Sequence, residues 1–315
     1  MPNYNGVWSL STHYQNRTGW PTFVPPMALF GGSKVPNNVI QFIVITTLGN
    51  ATDFGDLTVV RKNVAACASS TRAVFAGGEE TENSNVIDFV TFASQGNATD
   101  FGDLSVARKY PSGCGNSTRG IIYGGSGDND NFNTIDFITI ASEGNATDFG
   151  NTTVNRRSGG AFASPTRGVV AGGVASERLN SIEFITIGSA GNGTDFGDIS
   201  SARSGVSGCS SSVRGVMFGG EVNGTNQNVI EYVTIATTGD ATDFGDLTVA
   251  KSDSSGASNS VRGICAGSSG GANFNVIDFV TIATTGNATD FGNLIGNEAG
   301  SSEMGGCSNS HGGLT

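Results

Sequence analysis

The tetrapeptide TDFG occurs six times in the 315-residue chain, with its Asp at 53, 100, 148, 195, 243 and 290. Successive copies lie 47 or 48 residues apart. A fixed period in this range means that one supersecondary unit recurs and buries its apolar face against its neighbours. Two further markers keep step. An NxIDF-like segment starts at Asn38, Asn85, Asn133, Asn180, Asn228 and Asn275. An apolar run closed by a glycine pair stands at 73–78 (AVFAGG), 120–125, 168–173 and 215–220, and the sixth copy keeps one of those glycines in GICAGS (263–268).

Each unit reads as four short strands. The first is small and glycine-rich, as in SGCGNS (112–117). The second is the apolar run before the glycine pair. The third is the NxIDFxTI segment, whose Ile, Val, Phe and Thr favour strands. The fourth is expected to follow a TDFG turn, as in DLSVAR (103–108). Four strands in such a period predict an all-β, six-bladed β-propeller over residues 27–315, preceded by a non-repeat segment, 1–26. The last residues, SNSHGGLT (308–315), match a first strand and the start of a second, and the missing glycine-pair strand stands at MALFGG (27–32). Residues 27–32 are therefore expected to pair with a strand from about 303–310, closing the ring and removing a free edge. The stretch from Phe291 to Cys307 is three residues longer than Phe54 to Cys67, which predicts a bulge.

The net charge of -11 repels a phosphate backbone and argues against nucleic acid as a partner. No apolar run reaches the length of a membrane span, and the first twenty residues do not read as a secretory signal. TDFG shares its DFG with the kinase metal-binding turn, but six copies without the companion kinase motifs read as a repeated structural turn. Only His13 and His311 are present, so no triad or zinc centre is expected. Cys67, Cys114, Cys209 and Cys307 share one position in four first strands, and Cys265 lies in a second strand; all read as structural thiols. The Asn-x-Thr sites at Asn50, Asn97, Asn145, Asn192 and Asn287 read as turn chemistry. No catalytic residue, cofactor or metal is expected.

Charges recur too. Arg72, Arg119, Arg167, Arg214 and Arg262 open five second strands, and Asp88, Asp136, Glu183, Glu231 and Asp278 sit in the adjoining third strands. The blade built across the two chain ends lacks both, which suggests that they answer each other. The alternative partners for the acids are Arg61, Arg108, Arg156, Arg203 and Lys251, which end the fourth strands. Either way a ring of structural ion pairs is expected. The connections from third to fourth strand are all ten residues and nearly identical, whereas those from second to third strand differ in every blade: 33–37, 79–84, 126–132, 174–179, 221–227 and 269–274. The two kinds fall on opposite faces of a propeller. Variable loops on a rigid scaffold are where recognition resides. The expected partner-binding residues are therefore Glu79, Glu80, Asp128, Asp130, Phe132, Arg178 and Phe274. Trp8 and Trp20 mark the N-terminal segment as a docking element or as a strap on the propeller's own face.

The glycine pair, the basic residue ending the fourth strand and the period resemble kelch-type propellers. The wording GNATDFGDLTVAR with TRGVxxGG resembles repeat-bearing virion proteins of tailed bacteriophages, especially marine and cyanobacterial ones. That resemblance implies a virion location and a tail-fibre or appendage module that binds a host cell-surface glycan or protein. A purely architectural subunit that decorates the virion or bridges other subunits, and a soluble bacterial lectin-like propeller, are the alternatives. Other virion subunits, and further copies of this chain, are the remaining candidate partners.

Overall fold

A computed structural model describes residues 24–33, 38–269, 275–296 and 302–314. Six antiparallel sheets follow one another around an axis, each ordered from an innermost first strand to an outermost fourth. Blade two is the plainest example, with strands Ala65–Ala68, Arg72–Ala76, Val86–Thr91 and Thr99–Asp103. Blade one takes its first strand, Gly305–Ser308, from the far end of the chain; it pairs with Met27–Gly31, which pairs onward with Val39–Val44. The expected closure across the ends is thus present. Asn309 reinforces it by accepting from the Met27 amide at 2.8 Å and donating to the Pro25 carbonyl at 2.9 Å. The bulge expected before Cys307 falls largely on 297–301, outside the described residues.

After the arginine that opens five of them, the second strands are buried at every position because both of their faces are covered. Side chains alternate along a strand. In Arg72–Ala76, Ala73 and Phe75 pack toward blade one while Val74 and Ala76 pack toward blade three. Six such clusters, each between adjacent blades, form the core; one joins blade six to blade one. The five cysteines are buried and free within these layers.

TDFG is not a turn. It is the fourth strand itself, as in Thr99–Asp103, and it carries a β-bulge. Ile87 pairs with Gly102 and Asp88 with Asp100, leaving Phe101 as the extra residue. The bulge turns Phe101 inward, edge-on to Phe89 at 5.8 Å. The glycine has a different reason. A Cβ on Gly102 would stand 2.5 Å from the carbonyl oxygen of Gly144 in blade three. Glycine is required there by close approach of the next blade.

That approach also corrects the reading of the Asn-x-Thr sites. The GNAT segment of each blade lies along the open edge of the preceding fourth strand. Gly96 N donates to Phe54 O (2.9 Å), Ala98 N to Asp56 O (2.7 Å), and the Asp56 amide to Asn97 Oδ1 (3.1 Å). The same contacts link blades six and one through Gly49, Ala51 and Asn50. These asparagines act between blades, as substitute strand edges, and they protect a row of backbone groups that would otherwise be free to pair.

Candidate partner-binding face

The charges had to be assigned first, because they decide which groups are free to meet a partner. The third-strand acids pair with the bases one blade earlier, which lie five residues beyond the fourth strand in four blades and end it only in blade five. Arg61 meets Asp88 at 2.8 Å, Arg108 meets Asp136 at 3.0 Å, Lys251 meets Asp278 at 3.2 Å, and Arg156–Glu183 and Arg203–Glu231 complete the series. All ten side chains are buried. Thr58 adds its amide and hydroxyl to Asp88. Burial holds the Arg61, Arg108 and Arg156 pKa values below the ordinary arginine value, with the acids opposing. The second-strand arginines do something else. Arg72 lies over the Phe89 ring, 4.4 Å from its centroid, and donates to Ile140 O of the next blade. Arg119, Arg167, Arg214 and Arg262 repeat this over Phe137, Phe184, Tyr232 and Phe279. Both series thus serve blade-to-blade contacts, and they do not answer each other as their joint absence from blade one had suggested. Gln41 replaces the acid and accepts from the Ile295 amide at 2.7 Å.

With these charges committed to the scaffold, the variable face carries the remaining chemistry. Its loops are tied to the connections between blades, as in the bridges Lys62–Glu79, Lys109–Ser126 and Arg157–Val174. The loops of blades two to five each touch the next. Asn83 donates to Asp128 at 2.7 Å, Asn131 to the carbonyls of Val174 and Ala175, and Arg178 pairs with Glu221 at 2.6 Å. In blade five the loop becomes a hairpin, Glu221–Val222 against Thr225–Thr234, turned by Asn223 and Gly224 at positive φ. Asn-Gly is a strong hairpin signal that would have found it.

The axis is encircled by an arrangement that sequence reasoning missed. Asn63, Tyr110, Ser158, Gly205, Asp253 and Glu303 occupy the same place in the six blade-to-blade connections, all with φ between 49° and 63°. Each amide donates to the carbonyl of the corresponding residue one blade back: Tyr110 to Asn63, Ser158 to Tyr110, Gly205 to Ser158, Asp253 to Gly205, Glu303 to Asp253 and Asn63 to Glu303, at 2.7–3.1 Å. The result is a closed ring of six backbone hydrogen bonds. Left-handed backbone favours Gly and Asn and is costly for a bulky side chain. Tyr110 and Glu303 are held there by the ring. The signal was available: five of the six positions lie two residues beyond a repeated base, and all six residue types differ.

This ring frames a shallow axial depression of about 90 Å³. Lys62 stands 3.7 Å from both Glu79 and Glu303, and Lys109 stands 2.8 Å from Glu79, so opposite charges meet at its rim. Arg157 lies 5.6 Å from the Tyr110 ring centroid. Burial, then Glu303, Glu79 and Asp253, push the Tyr110 hydroxyl up to about 12, so it keeps its proton at neutral pH. A second, larger groove of about 740 Å³ opens between the loops of blades three and four, walled by Lys109, Asp128, Asp130, Asn131, Asn155 and Arg157.

Of the expected residues, Asp128 and Asp130 line this groove, and both are exposed. Glu79 is half-buried and held by Lys62, Lys109 and Asn63. Glu80 is exposed. Arg178 is engaged with Glu221. Phe132 is half-buried and holds the loop, its amide bonded to Gly125 O and its ring against Gly127. Phe274, Trp8 and Trp20 lie outside the described residues.

At the opposite end of the axis, His311 reaches Ala68 O through Nε2 at 2.8 Å and accepts from the Gly313 amide through Nδ1 at 3.1 Å. The turn Gly312–Leu314 packs against inner strands of blades three, four and five and covers that end of the channel, beside a cavity of about 40 Å³. No model of a known protein family matches this chain, and a search of curated proteins finds no similar sequence.

Proposed function

We propose that this propeller is a rigid, non-enzymatic recognition module that binds its partner with the face formed by the second-to-third-strand loops and the axial ring. The observation that carries the reading is the ring at 63, 110, 158, 205, 253 and 303. Its backbone is the same in every blade and its side chains differ in every blade. A strained position that served folding alone would favour Gly or Asn throughout. The kelch-like repeat and the phage-like repeat wording extend this to a tail-fibre or appendage component of a tailed bacteriophage virion, binding a host cell surface. The opposite face supports an architectural role in addition. Leu48, Val261 and Val213 are exposed there on the adjacent blades one, six and five, where blades two to four carry Thr71, Thr118 and Thr166 at the positions of the two valines.

Binding of the labelled full chain to intact host cells tests the reading. Replacing the loops 126–132 and 174–179 by the blade-two loop is expected to abolish binding with the melting temperature kept within a few degrees. Binding retained by that graft, or lost only on substitution of Leu48, Val213 and Val261, would show that the other face is used.

A further inference from the structure

We infer that the groove between blades three and four, together with the Tyr110–Arg157 pair at its axial end, binds a neutral saccharide chain; this rests on the partner-binding reading of the same face. Size comes first. At about 740 Å³ the groove falls within the range of ligand sites, and it is far larger than the cavities on the axis. Composition comes second. The groove wall is built from Lys, Asp, Asn, Ser and Arg with loop backbone, and none of the exposed large apolar side chains lines it. A protein partner docks through buried aromatic or aliphatic anchors, and this groove offers no apolar wall for one. A ligand dense in hydroxyl groups fits, since carboxylates accept from vicinal hydroxyls and amides both donate and accept.

Charge narrows the class. Lys109 and Arg157 line the groove together with Asp128 and Asp130, so its formal charge balances. A polyanion would meet the two carboxylates and a polycation the two bases. A neutral chain meets neither penalty. A sugar also has a C–H face, which needs a flat apolar surface beside the polar one. Tyr110 is the aromatic at the junction: it lines the axial depression, while its neighbour Lys109 and its ring partner Arg157 line the groove. Groove and depression are thus neighbours, linked through the Tyr110–Arg157 contact.

The walls are also set in advance. Asn83 of blade two fixes Asp128, and Asn131 is tied to the carbonyls of Val174 and Ala175 in blade four. Polar groups held from both sides lose little freedom when a ligand arrives.

The test is an array of immobilised glycans with neutral termini (hexoses, deoxyhexoses and N-acetylhexosamines) beside sialylated and sulfated ones, probed with the full chain. Retention on at least one neutral glycan is expected. For that glycan, Tyr110→Ala and Asp130→Ala are expected to weaken binding tenfold or more by calorimetry, and Gln95→Ala, exposed on the opposite face, to change it less than twofold. Tyr110→Phe, which preserves the ring and its backbone strain, should retain most of the affinity and controls for folding. Retention on no neutral glycan, retention on charged glycans only, or indifference to Tyr110→Ala and Asp130→Ala overturns the inference. Cell binding that depends on loops 126–132 and 174–179 but survives periodate oxidation of the cells overturns it too, while leaving the partner-binding face standing. Glycan retention without cell binding supports the groove and defeats the host-surface reading instead.

Discussion

Truncating Asp88 to alanine should destabilise the propeller more than most single substitutions. Asp88 is fully buried and accepts from Arg61, which is 1% exposed, and from the amide and hydroxyl of Thr58. Its removal leaves a guanidinium in a blade interface with only the carbonyls of Val86 and Phe75 as partners. A charge stranded in this way costs about 3–5 kcal/mol. At a urea dependence of about 3 kcal/mol/M, the unfolding midpoint would fall by about 1 M or more. Replacing both partners, Arg61→Met with Asp88→Leu, removes the charges together and should recover most of the loss, because desolvation offsets much of what a buried pair contributes. Glu221→Ala breaks the half-exposed pair with Arg178 and should cost about 1 kcal/mol or less. Equilibrium urea unfolding followed by fluorescence and circular dichroism reads all three. The reasoning is refuted if Asp88→Ala costs no more than Glu221→Ala, or if the double replacement is as unstable as the single one.

Gly102→Ala places a methyl 2.5 Å from Gly144 O and should cost about 1–3 kcal/mol, whereas Gly188→Ala, with no atom within 4 Å, should be neutral in the same unfolding assay. Removing residues 303–315 opens the edge of Met27–Gly31, and calorimetry should show a melting temperature lower by about 5 °C or more. Burial lowers the His311 pKa, so the unfolded chain takes up this proton first as the pH falls. The His311 contribution is therefore complete above about 6.5 and declines as the pH drops from there toward the folded value, and His311→Gln should flatten that part of a pH–stability profile.

Blade number, strand order and the joining of 27–31 to 305–308 were legible because repeats make every copy a check on the others. The TDFG segment misled because Asp and Gly are turn formers, and the demand for its glycine comes from a carbonyl in another blade. Two series of bases share one period, so spacing alone could not say that Arg61, and not Arg72, meets Asp88. Which one does depends on how far each blade is rotated against the next. The axial ring was hidden for the opposite reason. A search for sameness passes over positions such as Tyr110 and Ser158, where the backbone repeats and the side chain does not. The groove beside Tyr110 needs two loops brought together by stacking, and neither loop carries it alone.

The junction in blade one has a kinetic consequence. Its hydrogen bond from Met27 to Asn309 spans 282 positions, while the other blades are assembled from neighbouring segments. Joining such distant ends carries the largest loop-closure cost in the molecule, so it belongs late in folding, after local sheets have formed. Among the described residues, blades six and one also meet without a buried ion pair, since Gln41 stands in the place of the acid. The ring behaves as a clasp with one designated opening. Pulled or heated, it parts first where Gly305–Ser308 leaves Met27–Gly31, and its lifetime is set by that pairing of the two chain ends.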